Sequence, residues 1–116
     1  MKLSPGQIVL MNLRDALPNE PGKRNRPCVV VENPKVFGDY ANVIVVPLTH
    51  DRAASFSLVM TTIDPTPENG CDARCYAVSA HVTSSSRSRI VSATESRITS
   101  EQLGTIRAQI ALCIAA

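Results

Sequence analysis

In "GKRNRPCVVVENP" (residues 22–34), three cations stand directly before a nearly continuous apolar run. The β-branched residues of that run predict a strand that is buried on both faces, at residues 26–33. Burying a charge is costly, so Lys23, Arg24 and Arg26 must face water or a negatively charged partner. The stretch therefore predicts a central strand with a cationic approach to it.

The same kind of pattern recurs along the chain. Residues 41–48 predict another strand buried on both faces, whereas residues 55–63 alternate more and predict a half-exposed strand. Stretches rich in proline, glycine and asparagine separate the apolar segments and predict turns. In chain order, strands are predicted at residues 7–13, 26–33, 41–48, 55–63, 74–82 and 89–94.

The end of the chain changes from a strand pattern to a helix pattern. Thr99, with Gln102 three residues later, fits a capping box at the start of a helix. Apolar residues then recur at helical spacing, at Leu103, Ile106, Ile110 and Cys113 or Ile114. The sequence thus predicts a mostly β fold, a small antiparallel barrel with one C-terminal α-helix.

Length and composition are ordinary for a globular protein. The 116 residues predict a single domain spanning residues 1–116. No apolar run approaches the roughly 18 residues that cross a bilayer, so no membrane partner is expected. The N-terminal residues lack the long apolar segment of a signal peptide, which predicts a cytoplasmic protein. The net charge of +2 indicates no partner by itself, but cations concentrate at residues 23–26 and 87–89.

The chain has four cysteines, Cys28, Cys71, Cys75 and Cys113. Without a secretion signal, they are expected to be reduced thiols that behave as small buried hydrophobes. The spacing of Cys71 and Cys75 is not the two-residue spacing of a zinc site, and no histidine pair is near them. We therefore expect no metal and no other cofactor.

Several motifs together resemble one protein family. They are "SPGQIVLMNL", then "GKRNRPCVVVEN", then "NVIVVPLT", and finally "TSEQL" at residues 99–103, which precedes the predicted helix. In this order and spacing they resemble the MazF/PemK family, the toxins of bacterial toxin–antitoxin pairs. The similarity extends over nearly the whole chain, and its most specific element is the arginine–proline pair followed by the apolar strand.

The resemblance implies an SH3-like barrel that forms a homodimer and a metal-independent endoribonuclease that cleaves single-stranded RNA. In this family the ribose 2′-OH attacks the adjacent phosphate and leaves a cyclic phosphate and a 5′-OH. Arg26 matches the arginine that stabilises the transition state, and Thr49 matches a threonine that hydrogen-bonds a phosphate oxygen. The implied partner is a short acidic antitoxin whose tail covers the basic cleft.

The chain departs from the family at several site positions. The family's acidic residue and glutamine correspond to Ala80 and His81, and its arginine corresponds to Thr83. His50 replaces a serine or threonine after the third strand. Because histidine titrates near neutral pH, His50 and His81 are candidate acid–base residues in place of the missing carboxylate.

Other residues are candidate RNA contacts. Lys23 and Arg24 carry charge beside the motif arginine, and Thr83, Ser84 and Arg87 belong to a segment whose hydroxyls and guanidinium suit phosphate. Each has a structural alternative, namely a solvated loop, the end of a strand or a hydrogen-bonded histidine. For residues 84–89 a serine-capped turn, a phosphate-contacting patch and a loop stay open, and for Arg87 the loop is slightly favoured.

Two other functions remain open on sequence alone. A toxin of the same fold, as in the related CcdB proteins, poisons DNA gyrase through its C-terminal residues, but "ALCIAA" here contains no tryptophan. A catalytically silent member would only bind an antitoxin, and the Ala80 and Thr83 departures agree with that. Growth inhibition that depends on Arg26 separates these functions from a ribonuclease.

Overall fold

The structure is a computed structural model that describes residues 2–18, 20–51 and 59–115. Within these ranges there are seven β-strands and two α-helices, with short 3-10 turns at Ser79–His81 and Arg87–Arg89. The helices are α1 (Pro34–Phe37) and α2 (Ser100–Ile114). The strands are β1 (Gln7–Met11), β2 (Arg26–Val30), β3 (Asn42–Thr49), β4 (Met60–Ile63), β5 (Cys75–Val78), β6 (Thr83–Ser86) and β7 (Ile90–Arg97).

All strands pair antiparallel, in the order β4–β5–β3–β2–β1–β7, and β6 also pairs with β3. One edge of β3 therefore serves two partners. Its first half, from Asn42 to Val45, pairs with β6, and its last residues, Leu48 and Thr49, pair with β5. The sheet divides between β5 and β6, and the turn Ser79–His81 lies at this division, close to the end of β3.

The core occupies both faces of the central strands. Val29 and Val31 pack on one face with Ile106 of α2, whereas Cys28 and Val30 pack on the other face. Because neighbouring residues of a strand point to opposite faces, this alternation buries β2 on both sides. The prediction of a doubly buried central strand is confirmed.

The predicted fold class is also confirmed: the chain is mostly β, antiparallel, and ends in a helix. The strand predicted at residues 74–82 was too long, because it ends at Val78 and turns through Ser79–His81. The buried Ser79 fixes that turn: its backbone carbonyl accepts from Val82 N–H (3.1 Å), and its hydroxyl donates to Gln109 (2.7 Å).

The serine-rich segment forms a strand, which was not predicted, and then a serine-capped turn, which was one of the alternatives. Its first part is the strand β6, since β3 offers an unpaired edge to residues of low β propensity. Ser86 then caps the turn Arg87–Arg89 by accepting from Ser88 N–H at 3.2 Å.

Other elements differ from the prediction in length. Strand β1 is shorter and β7 is longer than predicted, and the connection after β2 contains α1. Residues 55–58 of the predicted fourth strand lie outside the described residues.

Helix α2 begins at the predicted capping box. Thr99 and Gln102 exchange hydrogen bonds between side chain and backbone, each at 3.0 Å. Ile106 is fully buried, and the neighbouring apolar residues of the predicted face are partly buried. Cys113 and Ile114 are exposed, because the last turn extends past the part of the helix that the core covers. No helix in the described ranges is long and apolar enough to cross a membrane.

The packing of α2 gives a stability prediction. Ile106 is 0% exposed, so Ile106→Ala leaves a cavity and should lower the free energy of unfolding by about 2–5 kcal/mol. Leu17→Ala is the control, because Leu17 is 68% exposed and its truncation should change stability by less than about 0.5 kcal/mol. Urea denaturation of both variants measures the difference. Equal stabilities would contradict the packing of α2 on this core.

Candidate active site

Two concave surfaces lie beside the point where the sheet divides. The first, here called the arginine cleft, has a volume of about 470 Å³ and is lined by Lys23, Arg26, Thr49, His50, Cys71 and Cys75 among others. The second, here called the serine groove, has a volume of about 680 Å³ and is lined by Asn42, His81, Thr83, Ser84, Ser86 and Arg89 among others.

Arg26 is the central cation of the arginine cleft. It is half-buried, and its Nε and Nη1 donate to the carbonyl oxygens of Gly22 (2.8 Å) and Leu48 (2.9 Å). These bonds hold the guanidinium between the β1–β2 loop and the end of β3. No residue in the described part of the chain accepts a hydrogen bond from its Nη2 or pairs with it as a carboxylate. Arg26 therefore presents a fixed donor and an uncompensated positive charge.

Arg74 and Arg89, in contrast to Arg26, have carboxylate partners. Arg74 pairs with Asp64 at 2.6 Å, and Arg89 pairs with Asp15 at 2.7 Å. Arg26 instead loses hydration without gaining an anion, and this burial lowers the pKa of its guanidinium. A partly desolvated cation of this kind favours an anionic ligand.

Thr49 and His50 end β3 at the wall of the arginine cleft. The Thr49 hydroxyl oxygen accepts from Asp51 N–H at 3.0 Å, which orients the side chain and leaves its hydroxyl hydrogen for another acceptor. His50 Nδ1 lies 3.2 Å from the carbonyl oxygen of Arg74. A carbonyl only accepts, so Nδ1 carries the hydrogen and Nε2 is the nitrogen left for chemistry.

His81 lies in the 3-10 turn at the division of the sheet and lines the serine groove. Burial, together with the nearby charge of Arg26, lowers the pKa of His81 below its ordinary value of 6.5. The imidazole is therefore neutral at pH 7, the form that accepts a proton. The charge of Arg26 in the arginine cleft thus contributes to the lowered pKa of His81 in the serine groove.

The two loop cations have different positions. Lys23 lines the arginine cleft and has a φ of +85°, a left-handed conformation that is uncommon for a residue with a side chain. Its carbonyl accepts from Leu13 N–H at 2.8 Å, which holds this conformation. Arg24 is exposed and is not among the residues that line either surface.

The candidate RNA contacts of the serine-rich segment lie at two different places in the structure. Thr83 and Ser84 are exposed on β6 and line the serine groove, opposite Val45 and Ile44 of β3. The structure places Arg87 elsewhere. Its Nε donates to the carbonyl oxygen of Tyr40 (2.9 Å), and its Nη2 lies 3.5 Å from the buried carboxylate of Glu32.

The groove has an acidic lining that the sequence did not reveal. Ala80 is exposed at its wall, where the family resemblance implies a carboxylate, and Asp15 and Glu20 line the groove from the β1–β2 loop. Hydrogen bonding from Arg89 lowers the pKa of Asp15, so this carboxylate is ionised and is no proton donor at neutral pH. Among the described residues, His81 is the group of the groove best suited to accept a proton at pH 7.

Cys71 and Cys75 are a second feature that the sequence did not assign to the site. Cys28 and Cys75 are buried as predicted. Cys71 is only half-buried because it lies at the wall of the arginine cleft, and Cys113 is exposed because it lies in the uncovered last turn of α2. All four are free thiols. In the part of the chain that the structure describes, no group of three or more histidine, cysteine or acidic residues is arranged to hold a metal ion.

The arrangement is suited to chemistry at a phosphodiester. Arg26 and Thr49 supply a cation and a hydroxyl donor in the arginine cleft, where His50 also lies, and His81 lines the neighbouring serine groove. Stabilising negative charge and moving protons are the two requirements for cleaving a phosphodiester without a metal.

The family model and the solved structures that the chain matches describe the same kind of protein. A model of PemK-like, MazF-like toxins of type II toxin–antitoxin systems matches residues 4–114. Curated protein sequences give no match. Among solved structures, the chain is similar to MazF from Deinococcus radiodurans, with a TM-score of 0.78 and 20% identity over 98% of this chain and 97% of that chain.

Two further structures contain an antitoxin. A mycobacterial endoribonuclease in complex with its cognate antitoxin has a TM-score of 0.74 and 16% identity over 97% of this chain and 95% of that chain. A MazE–MazF structure from Deinococcus radiodurans has a TM-score of 0.65 and 17% identity over the same shares. At these identities the structures establish the fold, and the family model establishes the kinship. Because that model spans nearly the whole sequence, the chain belongs to the family of PemK-like, MazF-like toxins of type II toxin–antitoxin systems.

Proposed function

We propose that this toxin is a metal-independent endoribonuclease that cleaves single-stranded RNA through attack of the ribose 2′-OH on the adjacent phosphate. The observation that carries the proposal is Arg26, a half-buried guanidinium that is held by two carbonyl oxygens and has no carboxylate partner among the described residues. A phosphodiester supplies the negative charge that this position lacks, and arginine presents donors that match phosphate oxygens.

Arg26 and Thr49 stabilise the transition state in this proposal. As the 2′ oxygen bonds to phosphorus, negative charge grows on the non-bridging oxygens, and Nη2 of Arg26 donates to one of them. The Thr49 hydroxyl, oriented by its bond from Asp51 N–H, donates to another. Both groups are fixed by the end of β3, so little reorganisation accompanies the developing charge.

The two histidines move the protons. His81 is neutral at pH 7 and accepts the proton of the attacking 2′-OH. The bond between phosphorus and the 5′ oxygen then breaks, and protonated His50 gives that oxygen a proton from Nε2. The products are a 2′,3′-cyclic phosphate and a 5′-OH. This pair takes the place of the carboxylate that is absent at Ala80.

The rest of the RNA lies along the two concave surfaces. Lys23 contacts a phosphate in the arginine cleft, and Thr83 and Ser84 contact the chain in the serine groove, where their hydroxyls are exposed. Such contacts position a nucleic acid without reading its sequence. In this proposal Arg24 adds long-range attraction, and Arg87 supports the loop that carries Tyr40.

The proposal includes partners. Structures of similar proteins contain a cognate antitoxin, and for this chain we propose an acidic antitoxin segment that orders on the arginine cleft and neutralises Arg26 and Lys23. We also propose that the single domain forms a homodimer. Leu112 and Ile114 at the end of α2, 70% and 79% exposed, offer apolar surface for that contact. The RNA substrate places the toxin in the cytoplasm.

The proposal is tested by incubating the purified protein with a long single-stranded RNA in the presence of EDTA. We expect fragments that carry a 5′-OH, detected because polynucleotide kinase labels them directly without prior phosphatase treatment. Intact RNA with a folded protein would contradict the proposal. In that case, growth inhibition that survives Arg26→Ala would indicate a toxin that acts by binding. Absence of growth inhibition by the wild-type protein would indicate a catalytically silent member.

A further inference from the structure

The arginine cleft contains a pair of thiols that the proposed mechanism does not use. The Sγ atoms of Cys71 and Cys75 lie 3.8 Å apart, and both residues line the cleft beside Thr49 and His50. Cys71 is half-buried at the wall, whereas Cys75 is 5% exposed at the start of β5. Two sulfur atoms in contact, one accessible and one buried, are the arrangement of an oxidisable dithiol.

The segment that carries Cys71 is held firmly in place. The buried Asn69 side chain accepts from Cys71 N–H (2.9 Å) and Thr66 N–H (3.0 Å), and it donates to the carbonyl oxygen of Asp64 (2.8 Å). Gly70 has a φ of +64°, and a Cβ there would lie 2.9 Å from Ser96 Oγ, so only glycine allows the segment to approach β7 this closely. The proximity of the two thiols is therefore built into the fold.

We propose that Cys71 and Cys75 are a modification site, a dithiol that a peroxide oxidises to an intramolecular disulfide at the wall of the arginine cleft. The switch of activity described below rests on the proposed function, but the disulfide itself does not. Its formation requires the sulfur atoms to approach from 3.8 Å to about 2.05 Å. We expect side-chain rotation and a small shift of residues 72–74 to supply this approach.

The reaction is balanced with one peroxide. The Cys71 sulfur takes an oxygen atom from hydrogen peroxide and becomes a sulfenic acid, and one water leaves. The Cys75 sulfur then attacks the Cys71 sulfur, the S–O bond breaks and a second water leaves. Two thiols thus lose two electrons and two hydrogens, and the peroxide is reduced to water. Cys71 meets the oxidant first because it is half-buried at the wall, whereas Cys75 is buried, and burial raises the pKa of the Cys75 thiol to about 12. Cys75 is therefore the resolving thiol.

The disulfide is coupled to the proposed site through Arg74. This residue lies between the two cysteines, and its carbonyl oxygen accepts from His50 Nδ1 at 3.2 Å. Closing the disulfide shifts the 72–74 backbone and removes the contact that fixes the His50 tautomer. Because a displacement of about 1 Å at a reacting group can lower a rate 100-fold, we expect oxidation to slow RNA cleavage at least tenfold and a dithiol reductant to restore it.

The disulfide is tested by mass spectrometry of the wild-type protein and of its proteolytic peptides after mild peroxide treatment and alkylation. We expect a loss of two hydrogens confined to the peptide that contains Cys71 and Cys75, with Cys113 still open to alkylation. Cys71→Ser should abolish this change, and Cys113→Ser should leave it intact. Oxidation of Cys113 while both cleft thiols stay alkylatable would overturn the proposal.

The coupling is tested separately from nuclease activity. The chain has two histidines, so their ring resonances are easily assigned by NMR. Oxidation should shift the His50 resonance and leave that of His81 in place, whether or not the protein cleaves RNA. A disulfide that forms without moving the His50 resonance would overturn the coupling. If the protein proves inactive on RNA, the proposed function fails while the mass and NMR results still decide this inference.

Discussion

Replacing Arg26 with alanine is expected to lower the rate of RNA cleavage by about 10²- to 10³-fold, the usual cost of removing one donor to a developing oxyanion. Arg26 is the donor that the fold holds in the arginine cleft without a carboxylate partner among the described residues. The measurement is single-turnover cleavage of a labelled RNA. Arg26→Lys keeps the charge but loses the planar fork of donors, so its rate should lie between those of the wild type and Arg26→Ala.

Two controls separate this effect from misfolding. Arg24→Ala removes an exposed arginine two residues away that lines neither concave surface, so it should change the rate by less than about threefold. In Arg26→Ala the pKa of His81, measured by NMR, should rise, because the charge that helps to lower it is gone. A cleavage rate unchanged in Arg26→Ala, with the His81 pKa raised, would show that the cleft is not the catalytic site.

Replacing His81 with glutamine is expected to slow cleavage by about 10²- to 10⁴-fold, the range for loss of a general base. His81 acts in its neutral form, and its pKa lies below the ordinary value of 6.5. The wild-type rate should therefore be maintained as the pH falls to 6.5 and should decline only at lower pH, through the lowered pKa. Rates measured from pH 4.5 to 8 give this profile.

The matched variant for this experiment is His50→Gln. His50 is the proposed proton donor, so its loss should slow cleavage while leaving the acidic decline of the profile in place. His81→Gln should slow cleavage and also remove the acidic decline, because that decline belongs to His81. If both single variants and the double variant cleave at the wild-type rate, the two-histidine mechanism is wrong and proton transfer belongs to other groups.

The sequence predicted those parts of the fold that local pattern determines. The apolar run from Cys28 to Val31 is buried on both faces because strands on either side cover it. The Thr99–Gln102 capping box marks the start of α2 because both its hydrogen bonds are local. Patterns within a few residues suffice for such features.

The division of the sheet between β5 and β6 could not be predicted from local patterns. Residues 74–86 form β5, a turn and β6 because β3 presents one edge long enough for two partners. The polar residues of β6 give no strand signal of their own, and tertiary pairing decides their conformation. The buried bond between Ser79 and Gln109, thirty residues apart, fixes the turn between the two strands.

The candidate site could be predicted only where a motif names its residues. Arg26 and Thr49 were inferred from the family pattern, and the structure brings both into one cleft with His50 and Lys23. The separation of Arg87 from that cleft depends on the buried Glu32, and the contact of the cysteines depends on the turn that Asn69 holds. Such tertiary contacts leave no periodic signal in the sequence.

Attack by the ribose 2′-OH is tested with two oligonucleotides that differ only in one 2′-OH, at the cleavage site mapped on a longer RNA. Each is incubated with wild-type protein and with Arg26→Ala in the presence of EDTA, and the products are resolved. We expect the wild type to cut only the oligonucleotide with the 2′-OH and to leave a cyclic phosphate, while Arg26→Ala cuts neither at a comparable rate. Equal cleavage of the deoxy-substituted oligonucleotide by the wild type, or cleavage by Arg26→Ala at the wild-type rate, would rule out 2′-OH attack assisted by Arg26.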